Sequence, residues 1–116
     1  MSNIQELKKV ASQVRRDIIR MVTAAQSGHP GGSLSSADIL TALFFSEMKH
    51  NPNNWIKDGK GNDMFFLSAG HISPVFYSVH ARSGYFPVSE LATFRLLGTR
   101  LQGHPCPHSK LPGVHE

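Results

Sequence analysis

"MFFLSAGHISPVF", Met64 to Phe76, sets the fold class. Met64 to Ser68 form a short apolar run bounded by turn signals, which predicts a buried strand of the kind found inside a parallel sheet. "AGH" breaks the run, and Ser73 and Pro74 open a helix in N-cap and first-turn positions. Strand, tight turn, helix is the local order of an α/β fold. Yet a buried strand needs neighbours on both sides, and no second run of this type is evident. The chain itself is expected to be mostly helical, with about one short buried strand.

Upstream, Ile4, Leu7, Ala11, Val14, Ile18, Met21 and Ala25 recur at alternating steps of three and four, predicting a long helix over residues 4–26. The same residues form a heptad seam. Val10, Ile19 and Val22 widen it towards the broad stripe of a helix packed on a globular core. Pro30 disfavours helical backbone at His29, so the helix must stop near Gly28. Ser35 or Ser36 is expected to cap a second helix running from Ala37 to Met48. Lys49 to Asp63 reads as a loop. Downstream, Val75, Phe76 and Val79 give the third helix a buried side, and Gly84 ends it. Ser89 is expected to cap a shorter helix with Leu91, Phe94 and Leu97 facing inward. The tail from Gly98, rich in Pro, Gly and His, reads as irregular.

The 116 residues suit a single domain, and 40% hydrophobic content is near the globular norm. "MSNIQELKK" lacks the apolar centre of a signal peptide. No apolar run approaches the ~20 residues of a membrane span, so no membrane association is expected. A lone cysteine, Cys106, excludes an internal disulfide framework, which makes the cytoplasm the default compartment. The net charge of +4 owes much to Lys8, Lys9, Arg15, Arg16 and Arg20 on the first helix. These read as a solvated helix face, with attraction to phosphorylated small molecules as the sharper alternative. No nucleic-acid motif accompanies them, so nucleic acid is not an expected partner.

Three histidines share a setting. His29 lies in "SGHPGG", His71 in "SAGHIS" and His104 in "QGHPCP", each directly after a glycine. Glycine lets backbone approach a ligand closely, and histidine exchanges protons near neutral pH. A lone loop histidine is ordinarily a surface residue; three in one setting point to a site. His71 has the clearest placement, past the end of the expected strand and before a helix N-terminus, where anionic groups bind in open α/β sheets. "HPCPH" also suggests His104, Cys106 and His108 as metal ligands. Its prolines favour a threefold extended helix that points alternate side chains apart, so no metal site is assigned. Glu47, Asp58, Asp63 and Glu90 show no paired pattern. Neither a nucleophile elbow nor a phosphate-binding loop occurs.

Taken in order, "SGHPGG", "ADILTALFF", "HNPNNW", "FFLSAGHISPVFY", "GYFPVSELATFR", "LQGHP" and "LPGV" resemble the amino-terminal part of transketolase, across roughly residues 10–114. The resemblance implies a thiamine-diphosphate-binding fold, a parallel sheet with flanking helices. It implies transfer of a two-carbon ketol unit between sugar phosphates, using thiamine diphosphate and Mg²⁺. By resemblance, His29 contacts substrate and assists proton transfer. His71 lies beside the cofactor's diphosphate, and His104 hydrogen-bonds the donor sugar. Ala69 and Ile72 flank Gly70 and His71 where the family often has Asn and Gly, and Cys106 stands where it often has Glu. Such variants resemble transketolases split into two subunits.

After a segment like "LPGV" the family continues into a Gly-x-Leu-Gly-Gln-Gly turn and then a Gly-Asp-Gly metal motif, neither of which is present in these residues. Residues 1–116 are therefore expected to form a partial diphosphate-binding domain, inactive alone. Partners implied are the remaining transketolase domains or a C-terminal subunit, in a homodimer or heterotetramer. The apolar faces of helices 4–26 and 37–48 are expected to stand exposed in the isolated chain and to favour association. The alternative is a non-catalytic interaction module that docks through the amphipathic first helix.

Overall fold

A computed structural model describes residues 3–54, 61–105 and 111–114. Its frame is three helices: α1 (Ile4–Ala25), α2 (Pro30–Ala42) and α3 (Ser73–Ser83). Among the described residues no helix is long and apolar enough to cross a membrane.

The heptad spacing is realised in α1. Asn3 caps it, its Oδ1 accepting from the Glu6 backbone amide at 2.8 Å, which satisfies one orphan donor, while its side-chain Nδ2 donates to the Glu6 carboxylate at 2.9 Å. Gln26, in left-handed backbone at φ 51°, ends the helix. Ala11, Val14, Ile18 and Met21 are buried, whereas Ile19 is 48% exposed and Ile4 69%. Val10 and Val22 are half-buried, Val10 packed against the core, so the stripe widens as expected except at Ile19. α1 packs against α2 and α3, so the seam from Ala11 to Met21 is covered within the chain, while Ile4 at its start stands exposed.

α2 begins at Pro30, several residues earlier than the serines suggested, with His29 as N-cap. Proline at the first helical position forfeits only an amide that would have no intrahelical partner. Ser35 is therefore inside the helix, its hydroxyl donating back to the Gly31 carbonyl at 2.8 Å. The helix then widens into a π-helical turn, Leu43–Glu47, closed by the Met48 amide on the Leu43 carbonyl at 2.7 Å. The Lys49 amide, next in that series, instead donates to the Asp63 carboxylate at 2.7 Å. His50 Nε2 lies 2.7 Å from the Phe44 carbonyl. A carbonyl only accepts, so Nε2 carries the proton and Nδ1 accepts from the Tyr85 hydroxyl, also at 2.7 Å.

The expected strand Met64–Ser68 does not form; among the described residues there is no strand. The segment runs with Phe65 and Leu67 half-buried and Met64 and Phe66 exposed. That alternation suits a strand, but a strand requires a hydrogen-bonded neighbour, and none lies beside it among the described residues. A 3₁₀ turn, Gly70–Ile72, follows, and α3 starts with Ser73 as its first helical residue rather than its cap. Gly84 ends α3 in left-handed backbone, as expected. The next helix is a 3₁₀ turn, Val88–Thr93, with Pro87 rather than Ser89 at its cap. Leu91 and Phe94 face inward, but Leu97 is fully exposed. The chain turns out of the 3₁₀ helix at Phe94, which carries Leu97 away from the core.

α3 lies at the centre, with Val75, Tyr77, Ser78 and Val79 wholly buried. Leu101 (0% exposed), Leu111 (1%) and Val114 (6%) return from the tail to complete the core. Gly113 is packed so closely on the His80 ring that a Cβ there would overlap it. A charged group is also buried within this core. Asp17, 4% exposed, accepts from Arg82 Nε and Nη2, both at 2.9 Å, and from the Ser78 hydroxyl at 2.8 Å, tying α1 to α3.

Burial pushes the Tyr85 phenol up to about 12. The unfolded phenol ionises near ~10, so the folded state holds a proton that the unfolded state has already lost. Tyr85's contribution to stability is therefore full below about pH 10 and is lost as pH rises towards about 12. In urea unfolding between pH 9 and 12, Tyr85→Phe is expected to flatten the alkaline fall in stability. An unchanged slope would place the phenol in water.

Candidate functional site

The three glycine–histidine turns meet at one end of the helical frame. His29 caps α2 with extended backbone, and its side chain makes no capping hydrogen bond. His71 sits in the turn that leads into α3. The two imidazoles stand edge to face, 5.7 Å between centroids at 84°. His104 joins them from the tail. A Cβ on Gly70 would lie 2.6 Å from His104 Nδ1, so the His104 ring rests on the backbone directly before His71. All three side chains are exposed.

Glycines make this convergence possible, though by a different contact from the one the sequence suggests. A Cβ on Gly32 would stand 2.6 Å from Ile72 Cγ2, and one on Gly103 2.5 Å from Arg95 Nη1. Real Cβ atoms do not approach that closely, so a side chain at Gly32 would push α2 off the His71 turn. Each motif's glycine admits a neighbouring part of the chain. Gly32 belongs to the first motif and touches the second; Gly70 belongs to the second and touches the third.

The polar frame beneath the cluster was not read from the sequence. Ser33 Oγ, fully buried on α2, accepts from the Val75 amide at 3.3 Å and so caps α3 from a neighbouring helix. Ser73 donates to the Gly103 carbonyl at 2.6 Å, and Tyr77 to the Gln102 carbonyl at 2.5 Å. Asp17 and Arg82 lie away from the histidines and line a separate cleft of about 240 Å³ with Arg20, Met21 and Leu91. None of the three histidines borders it.

Among the described residues there is no group of three side chains placed to hold a metal ion. Cys106 and His108, the other members of the "HPCPH" reading, lie outside the described residues. For a bound diphosphate the fit is one of contact. Exposed imidazoles can hydrogen-bond anionic oxygens, and α2 begins beside them with no side chain capping it. The start of α3, expected to hold phosphate, is closed: Ser73, Pro74 and Val75 are buried, and the Val75 amide is already bonded to Ser33.

Residues 6–115 match the family model described as transketolase, thiamine diphosphate binding domain, and the chain belongs to that family. Mouse transketolase is 40% identical over 114 residues, covering 96% of this chain and 18% of its own length. A subunit of the apulose-4-phosphate transketolase of Actinobacillus succinogenes is 36% identical, covering 94% of this chain and 39% of its own length. Among solved structures, transketolase from Pichia stipitis superposes with a TM-score of 0.84 at 36% identity, over 93% of this chain and 16% of its own. Transketolase from Leishmania mexicana gives 0.85 at 31% identity, over 98% and 16%. The chain thus spans less than a fifth of the full-length transketolases it matches.

Proposed function

We propose that residues 1–116 are part of the diphosphate-binding domain of a transketolase, and that the histidine cluster is its substrate-facing edge. The observation that carries this is the meeting of His29 and His71 at 5.7 Å with His104 seated on Gly70. In this reading the enzyme moves a two-carbon ketol unit between sugar phosphates, with Mg²⁺ alongside the organic cofactor. Thiamine diphosphate supplies the carbanion chemistry when bound. The chain's own residues bind, orient and move protons. His29 exchanges a proton with a substrate hydroxyl, standing exposed at the mouth of α2. His71 donates to an anionic oxygen of the cofactor, and His104 hydrogen-bonds the donor sugar. The rest of the site comes from further transketolase sequence or from a complementing chain, in a cytoplasmic homodimer or heterotetramer. In that assembly Met64–Ser68, whose side chains already alternate between half-buried and exposed from Met64 to Leu67, gains the neighbours that make it a strand of the parallel sheet. The apulose-4-phosphate enzyme, whose matching chain is one of its subunits, supports a division of the enzyme between two chains.

The test is to supply the 116 residues alone, and then joined to the remaining sequence or the complementing chain. Ketose-donor turnover dependent on thiamine diphosphate and Mg²⁺ is expected only in the second case. In that assembly His71→Ala should weaken cofactor retention. His104→Ala should lower the donor's kcat/KM by up to ~10-fold, the scale of one neutral hydrogen bond. Micromolar, Mg²⁺-dependent cofactor binding by the chain alone would overturn the need for a complement. One identical profile for both variants would mean a shared folding defect rather than separate roles.

A further inference from the structure

His104 is exposed, on a tail segment with no regular structure, yet its ring occupies a defined place against Gly70. The backbone immediately before it explains how. Three successive carbonyls are each captured by a donor from elsewhere in the fold. Leu101 O accepts from the Arg95 amide at 2.7 Å, Gln102 O from the Tyr77 hydroxyl at 2.5 Å and Gly103 O from the Ser73 hydroxyl at 2.6 Å. Two of these donors, Ser73 and Tyr77, lie four residues apart on α3, on one face a single turn apart. Both are buried, Ser73 1% exposed and Tyr77 0%. The Tyr77 ring is fixed further by edge contacts with Phe76 and Phe94. The Arg95 guanidinium, itself 5.9 Å over the Phe94 ring, closes on Gly103.

We infer that Ser73 and Tyr77 are positioning residues. They form a two-hydroxyl clamp that transmits the placement of α3, and with it of His71, to His104. α3 starts two residues after His71, so one rigid element sets both imidazoles. The clamp fixes the peptide plane from which His104 projects before any ligand arrives, and such pre-set geometry reduces the ordering cost of binding. Neither hydroxyl touches a reacting group; both act through His104. That His104 meets the donor sugar rests on the function proposed above, whereas the clamp itself does not.

The experiment compares Tyr77→Phe, Ser73→Ala and the double variant with the parent, within the assembled transketolase. Hydrogen exchange read by mass spectrometry is expected to rise in the peptide covering residues 99–105 and to stay unchanged in peptides of α1 and α2. In kinetics, each single variant should lower the donor's kcat/KM by about 2- to 10-fold, the range of one hydrogen bond, chiefly through KM. Acceptor KM should not move. Tyr77→Phe preserves the ring and its packing, so it separates loss of the hydroxyl from loss of the core. Unchanged exchange in residues 99–105 would overturn the clamp, as would a rise spread over the whole domain. Should His104→Ala leave donor kinetics intact, the donor-sugar reading fails, and the exchange measurement alone decides the clamp.

Discussion

His29→Ala is expected to lower turnover of the assembled enzyme by about 10²–10⁴-fold, the usual cost of removing a proton-transfer group. The structure makes this a clean substitution. His29 is exposed and its side chain caps nothing. Pro30, not His29, fixes the first turn of α2. The variant should therefore fold as the parent does, and its melting temperature should not move appreciably. His29→Asn keeps a hydrogen-bonding group of similar reach but cannot shuttle a proton near neutral pH. It should recover substrate KM without recovering kcat. Steady-state kinetics with donor and acceptor varied in turn decides the matter. Near-normal turnover in His29→Ala would reduce "SGHPGG" to a structural turn that admits Ile72.

The largest expected effect on stability belongs to Arg82→Ala. It strips both guanidinium bonds from Asp17, a carboxylate only 4% exposed, and leaves it with the Ser78 hydroxyl. Breaking a buried pair from one side costs about 3–5 kcal/mol, because the remaining charge stays out of water. For a domain of this size that is a fall of roughly 10–20 °C in melting temperature. Asp17→Ala should cost less. The Arg82 side chain is 27% exposed and can turn towards solvent, whereas Asp17 cannot. The Asp17 carboxylate raises the guanidinium above its ordinary value, by hydrogen bonding first and charge second; Asp17→Ala removes both, but an arginine stays charged without them and can take its hydration from solvent. A paired replacement by apolar residues of similar volume should restore much of the loss. Urea unfolding gives the order. Equal, small effects from both single variants would mean that the pair is solvated.

The helices were legible where spacing and punctuation agree. The three-and-four rhythm from Ile4 to Ala25 located α1, and Gly84 located the end of α3. The start of α2 is hidden as long as Pro30 is read only for what it forbids at His29, not for what it permits at its own position. Met64–Ser68 has the composition of a strand, but composition cannot supply a partner ladder. The histidine cluster was legible as a set, since the Gly-His setting recurs. Its cause was not, because the contacts of Gly32 with Ile72 and of Gly70 with His104 join residues far apart in the chain. Asp17 carries a signal of its own. It falls three residues after Val14 and four before Met21, inside the buried seam, where a carboxylate requires a cationic partner. Reading Ser73 as a cap hides its role as a donor to Gly103.

Leu111, Gly113 and Val114 close the core from the far end of the chain, and this fixes an order of events during synthesis. The helices are made first, but the hollow beside Phe65, Leu67 and Phe76 is not lined by Val114, nor is the His80 ring covered by Gly113, until the tail has been added. All three helices exist only once Ser83 has been added; at ~5–20 residues per second, the 28 residues from Ser83 to Leu111 then take roughly 1–6 s. Local helices form in about a microsecond, so the nascent chain spends that whole interval as a preformed helical cup with an open apolar floor. Holdase chaperones have their binding surface then, and a ribosome stalled short of Leu111 would hold the cup open indefinitely.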